Sequence, residues 1–238
     1  MTAEPALIRS VIAERKVRLV YQPVVNLHTH EIFAHEALVR TDAYASPPAL
    51  FQAAVDAGLV GELGRMLRDE SVKNCPNSTL FINIHPAELN QPYLVQPDDP
   101  IFTHTEDVYI ELTESVPLSH FKLCNQILSE IRGKGIYLVV DDLGAGYSNL
   151  KYIVDLHPRV VKLDRELIAG IRRRTRLHTL VKSIVKMSVE LGALVVAEGI
   201  ETVEELSAIL ETGAHFGQGY LLARPAFPPP TVNWPDNL

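Results

Sequence analysis

Apolar residues in this chain gather in short runs: Leu19–Val25, Ile32–Val39, Leu80–Ile84, Val108–Leu112, Ile136–Val140, Val160–Leu163 and Leu194–Ala197, with a weaker one at His215–Leu222. Most are continuous rather than alternating. A strand with one wet face alternates apolar and polar positions, so a continuous run predicts a strand covered on both faces, as in parallel sheets. Helical spacing fills the gaps. Over Ser119–Arg132, Cys124, Ile127, Leu128 and Ile131 share one face, and Gly133 supplies a C-cap. Thr202–Thr212 repeats the pattern with Val203, Leu206 and Leu210 ahead of Gly213. Ser46-Pro47-Pro48 predicts an N-cap with proline in the first turn of a helix running through Ala57. Arg165 to Leu191 predicts one helix or two, with Leu177, Leu180, Val181 and Ile184 inward.

Repeated strand–helix alternation implies a parallel sheet, and about eight strands imply closure into a barrel. One link breaks the rule. Only Asn26–Glu31 joins the first two runs, too short for a parallel crossover, so the first strand should run antiparallel to the second. The expected fold class is therefore α/β, a modified TIM (β/α)8 barrel. With no internal repeat and no linker, residues 1–238 read as a single domain with a motif-bearing core over about 17–225. The proline-rich segment 226–238 reads as an irregular surface tail.

Charged and amide side chains stand inside these runs or just past their ends: Glu36, Asn83, Glu111 and Glu114, Asp141 with Asp142, the ammonium of Lys162, and Glu198 with Glu201. Burying an unpaired charge is costly. Its recurrence along one chain points to a cation shared by all of them, at the rim where barrel strands end. The net charge of −7 makes the surface a poor match for a nucleic acid polymer, although metal ions would let a small phosphorylated ligand bind. The two cysteines, Cys75 and Cys124, lack zinc-site spacing and read as reduced, buried thiols. Glu4, Arg9, Glu14 and Arg15 interrupt any signal-peptide pattern, and no apolar run approaches the ~20 residues of a spanning helix. These features predict a cytoplasmic protein without a membrane segment. His28-Thr29-His30 reads as a solvated turn and Arg172–Arg176 as a solvated helix junction.

The chain resembles a known family in Tyr21-Gln22-Pro23, Glu36-Ala37-Leu38-Val39-Arg40, Asn83, Glu111-Leu112-Thr113-Glu114, Asp141-Asp142-Leu143-Gly144-Ala145-Gly146-Tyr147-Ser148, Lys162-Leu163-Asp164-Arg165, Ala197-Glu198-Gly199-Ile200-Glu201-Thr202 and Gln218-Gly219-Tyr220. Their order and spacing are similar to those of the EAL domain. That resemblance implies a phosphodiesterase that opens cyclic di-GMP to linear pGpG with two Mg²⁺ or Mn²⁺ ions. It implies Glu36, Asn83, Glu111 and Asp141 as ligands of one ion, with Asp141 bridging to a second helped by Asp142. Glu198 is implied as general base, Lys162 as its partner in orienting water, and Glu114 as the anchor of the Asp141–Ser148 loop. Glu201 and Asp164 match supporting acidic positions; Gln22, Arg40, Asp164 and Gln218 match substrate-contacting ones. A homodimer is a family habit, and a regulatory protein partner is open.

Independent of the family, Glu36, Glu111, Asp141, Asp142 and Glu198 would set five negative charges around a dianionic substrate. Repulsion at ~4 Å costs about 4 kcal/mol per pair at intermediate dielectric, so the site calls for cations. The departures from the family pattern leave every implied ligand in place. Leu143 replaces a phenylalanine, Ala145 a threonine, and Thr41 a tryptophan; His85 stands where serine is common. The competing readings are a cyclic di-GMP receptor that signals by changing partners, and a protein-binding scaffold. Retention of the whole implied set favours the enzyme.

Overall fold

The computed structural model describes residues 3–91, 93–113, 118–145 and 150–235. The elements run α1 (Ala3–Ala13), β1 (Arg18–Asn26), β2 (Ile32–Arg40), α2 (Pro47–Asp56), α3 (Val60–Asn74), β3 (Leu80–Asn83), β4 (Val108–Thr113), α4 (Leu118–Gly133), β5 (Tyr137–Leu143), α5 (Lys151–Leu156), β6 (Val160–Leu163), α6 (Arg165–Ile168), α7 (Arg176–Glu190), β7 (Leu194–Ala197), α8 (Val203–Leu210) and β8 (Phe216–Gly217). The strands close in sequence order into one barrel. β1 pairs antiparallel with β2 and with β8, while the other neighbours are parallel. The Asn26–Glu31 link is a tight turn. Asn26 Oδ1 accepts from the N–H groups of His28 at 2.9 Å and Thr29 at 3.1 Å, and both histidines of the turn are exposed.

Each strand gives one residue to an apolar layer formed by Val24, Ala34, Phe81, Tyr109, Val139, Val160, Val196 and Phe216. Side chains two apart on a strand share a face, so the next residue on that face determines what sits above this layer. Outside the sheet, two larger clusters pack it against the helices. Ser46 caps α2 by accepting from Ala49 N–H, with Pro47 and Pro48 in the first turn. A capping box of Thr202 and Glu205 opens α8.

Several expectations need correction. Neither α1 nor α3 is among the helices expected above, although both carry apolar residues at helical spacing: Ile8, Val11 and Ile12 on α1, and Val60, Leu63 and Leu67 on α3. The buried face of α3 mixes Val60, Leu63, Met66, Leu67 and Val72 with Gly61, Gly64, Arg68 and Ser71, which dilutes its apolar pattern. α4 runs through Gly133, and the turn comes at Gly135, whose φ is +86°. Of the one or two helices expected over 165–191 the chain forms two, as allowed, because Gly170 turns it at φ +70° and gives its N–H to Glu205 Oε1 at 2.7 Å. α7 buries His178, Val181, Val185 and Ser188, which leaves Leu180 49% exposed on another face. The last run keeps only Phe216–Gly217 as strand, since the chain folds back at Gly219 against the backbone of Ile200. The tail is irregular but held. Ala226 pairs with Tyr21, and Trp234 stacks on His30 at 3.8 Å. Cys75 is free and buried, and the Cys124 side chain lies outside the described residues. No helix among the described residues is long and apolar enough to cross a membrane.

Candidate functional site

Two residues beyond the apolar layer, toward the C-terminal ends of the parallel strands, stand Glu36, Asn83, Glu111, Asp141, Lys162, Glu198 and Gln218. Gln22 is their counterpart on antiparallel β1, two residues before Val24. Lys162 lies at the centre. Its Nζ is 2.6 Å from Glu111 Oε1, 2.6 Å from Glu198 Oε1, 3.3 Å from Glu36 Oε2 and 3.3 Å from Asp141 Oδ1. Asn83 Nδ2 donates to Glu111 Oε2 at 2.7 Å and Glu36 Oε1 at 3.1 Å. Gln218 Nε2 donates to Glu36 Oε2 at 2.8 Å and Gln22 Oε1 at 3.2 Å, and Gln22 Nε2 donates to Ala223 O at 3.0 Å.

In a regular strand Asp141 and Asp142 would point to opposite faces. Here the β5–β6 register shifts between Val140 and Leu143, and Asp142 takes a φ of +57°. The bulge turns both carboxylates to the rim, where ligand oxygens of Asp141, Asp142 and Glu198 fall within 4.8 Å of one another. Asp142 N–H also donates to Asp141 Oδ1 at 2.9 Å.

One ammonium faces a surplus of carboxylates. Burial, then Glu36 beside it, lifts Glu111 well above the usual carboxylate range, and burial likewise lifts Glu198 and Asp141 against the pull of Lys162. Asp142 is pushed up to about 6, first by burial and then by Asp141. Glu36 alone is lowered: burial works against it, but Lys162, Gln218 and Asn83 outweigh that. The same carboxylates hold Lys162 charged well above its ordinary range despite burial.

Two cavities flank this centre and share Glu36, Leu38, Asp141 and Asp142. One, of about 590 Å³, extends over Arg40, Pro47, Phe51 and His85. The other, of about 290 Å³, reaches Asp164, Arg165, Glu201 and Tyr220. Arg40 lines the larger one and donates to its neighbour Val39 O at 2.8 Å. Asp164 caps α6 by accepting from Glu166 N–H at 2.7 Å. Glu201 sits at the outer edge and pairs with Arg165, Nη2 to Oε2 at 2.9 Å, away from Lys162. Glu114 lies outside the described residues. The pattern of polar residues on apolar strands singled out neither Phe51 nor Tyr220; both are helix or loop residues whose place appears only on folding.

The donor set fits hard divalent cations. It is all oxygen, from Glu36, Glu111, Asp141, Asp142 and Glu198, with the Asn83 amide oxygen available on rotation of its side chain. Burial first and neighbouring carboxylates second lift Glu111, Asp141 and Asp142, and a bound cation would offset both.

The profile of the family described as "EAL domain" matches residues 6–225. Among curated relatives, the cyclic di-GMP phosphodiesterase PA2567 of Pseudomonas aeruginosa is 29% identical over 246 residues, which covers 96% of this chain and 42% of that protein. The uncharacterized protein y4lL of Sinorhizobium fredii is 30% identical over 233 residues, covering 92% of this chain and 28% of that one. The chain thus spans less than half the length of these relatives. Among solved structures, Klebsiella pneumoniae BlrP1 in a calcium and cyclic di-GMP complex aligns with a TM-score of 0.79 and 28% identity, over 89% of this chain and 56% of that one. A manganese and cyclic di-GMP complex of BlrP1 aligns at 0.78. The Xanthomonas citri FimX EAL domain in complex with cyclic di-GMP reaches 0.82 over 98% of this chain and 96% of that one; its 19% identity shows likeness of fold alone.

Proposed function

Because the chain belongs to the EAL domain family, we propose that it is a metal-dependent phosphodiesterase that hydrolyses cyclic di-GMP to linear pGpG. The observation that carries this reading is the crowding of Glu36, Glu111, Asp141 and Glu198 around Lys162, with Asp142 turned in beside them. A receptor needs shape and phosphate contacts; it does not need a rim of carboxylates facing a dianion. Glu36, Asn83, Glu111 and Asp141 would hold one Mg²⁺ or Mn²⁺, and Asp141 with Asp142 a second. Bound there, the ions would neutralise the phosphodiester and acidify a water.

The chain's own groups do the rest. Lys162 fixes the Glu198 carboxylate at 2.6 Å, so its free oxygen can take a proton from the attacking water. The water oxygen forms a bond to phosphorus as the bond to the 3′ oxygen breaks; that oxygen leaves with a proton taken from solvent. Gln218 and Gln22 hold Glu36 in place. Arg40 is free to grip phosphate oxygens with the guanidinium edge not turned to Val39. Asp164 and Glu201 shape the smaller cavity.

The test is direct. The purified chain is incubated with cyclic di-GMP and Mg²⁺ or Mn²⁺, and pGpG is followed by chromatography. Turnover should appear only with metal and fall by at least about 10²–10⁴ in Glu198→Gln, and likewise in Glu36→Ala. Tight binding without product would replace the enzyme reading with that of a receptor.

A further inference from the structure

His85 does two things at once. Its backbone N–H is held by Glu88 Oε1 at 2.9 Å, and Arg68 grips the other Glu88 oxygen at 2.6 Å. Its ring lies nearly parallel to Phe51, with 5.9 Å between centroids and 15° between planes. Its Nδ1 accepts from Ala87 N–H at 3.2 Å, capping the short turn Pro86–Asn90. An Nδ1 that accepts carries no proton, so the ring's proton sits on Nε2. That Nε2–H has no partner among the described residues, and His85 lines the 590 Å³ cavity that opens on Asp141 and Asp142. A serine, common at this position in the family, would cap the turn with its oxygen and offer the cavity nothing comparable.

Resting on the phosphodiesterase reading above, we propose that His85 is a specificity-determining residue for the purine base seated in this cavity. The cavity lies within the ~300–1,000 Å³ typical of small-ligand pockets and is walled by Pro47, Pro48, Phe51 and Ile84. Flat apolar walls suit a base, and the shared carboxylates place it within reach of a phosphodiester at the centre. A fixed donor selects a base edge with adjacent acceptors. Guanine offers O6 and N7 there, whereas adenine puts an amino donor beside N7.

His85→Ser keeps a capping oxygen while removing the Nε2–H and the ring beside Phe51; loss of the ring falls on both nucleotides, so the difference between them isolates the donor. Dissociation constants for cyclic di-GMP and cyclic di-AMP are measured by calorimetry in Ca²⁺ for wild type, His85→Ser and His85→Gln, with Mn²⁺ binding and melting temperature as controls. Loss of one hydrogen bond should weaken cyclic di-GMP binding by roughly 5- to 10-fold in His85→Ser. Cyclic di-AMP should lose distinctly less, Mn²⁺ should bind the variant and the wild type alike, and His85→Gln, which restores a donor, should recover most of the difference between the two nucleotides. Unchanged cyclic di-GMP affinity in His85→Ser, or an equal loss for both nucleotides, overturns the role of His85 while leaving the phosphodiesterase reading intact. A wild type that binds no cyclic di-GMP overturns both.

Discussion

Replacing Asp142 by asparagine should stabilise the metal-free protein and cripple the metal-loaded one. Burial, then Asp141, lifts the Asp142 carboxyl from 3.8 to about 6 against the pull of Lys162. A folded-state pKa above the unfolded one makes this group's contribution to stability complete below about pH 4 and lost as pH rises through about 6. Two pKa units correspond to ~3 kcal/mol. The side chain is only partly buried, so solvent screening reduces the expected penalty at neutral pH to about 1–2 kcal/mol. Asparagine has nearly the same shape, carries no charge to desolvate, and tolerates the +57° φ at this position. In EDTA at neutral pH the variant should therefore melt roughly 2–8 °C above wild type. Near pH 5 about half of that offset should be gone, because the folded wild type has by then taken up its proton. With Mn²⁺ the order should reverse, since the variant lacks one anionic oxygen for the ion. Differential scanning fluorimetry at the two pH values, with EDTA and with Mn²⁺, reads all of this. A variant that melts below wild type in EDTA at neutral pH, or an offset that does not shrink near pH 5, refutes the electrostatic reasoning.

Lys162→Met leaves Glu36, Glu111, Asp141 and Glu198 without their buried cation. It should cost about 3–5 kcal/mol in urea unfolding at neutral pH, with part of the loss recovered on adding Mn²⁺. Gly219→Ala would put a Cβ 2.1 Å from Ile200 O and 2.3 Å from Ile200 N, both backbone atoms. The clash should cost at least about 3 kcal/mol and lower activity by displacing Gln218 from Glu36. Arg68 sits buried between Glu88 and Asp99. Arg68→Met strands two carboxylates and should cost about 3–5 kcal/mol, whereas Glu88→Gln leaves a balanced Arg68–Asp99 pair but only one acceptor for the Arg68 and His85 N–H groups, and should cost less, about 1–3 kcal/mol, by the same measurement.

What could be read from the sequence follows from the geometry of a strand. A polar residue two positions beyond a buried apolar one shares its face, so in a closed sheet the pairs Ala34/Glu36, Phe81/Asn83, Tyr109/Glu111, Val139/Asp141, Val160/Lys162 and Val196/Glu198 stack one ring above another. Unbroken runs with a polar residue at or near the end are the linear trace of that stacking. The trace fails where the backbone leaves the strand. Nothing in the letters Asp141-Asp142 says that both face the rim; that depends on a register shift and a positive φ, which require a neighbouring strand to define them. It fails again on α3, whose buried face carries Arg68 because Glu88 and Asp99, far along the chain, fold back to meet it. Glu88 in turn grips the backbone of His85, two residues past Asn83. Through its buried Arg68, α3 thereby braces the wall of the larger cavity. The strands place the charges by local periodicity, and non-local ion pairs hold the surfaces that face a ligand. Substitutions in the second group should therefore lower ligand affinity along with stability.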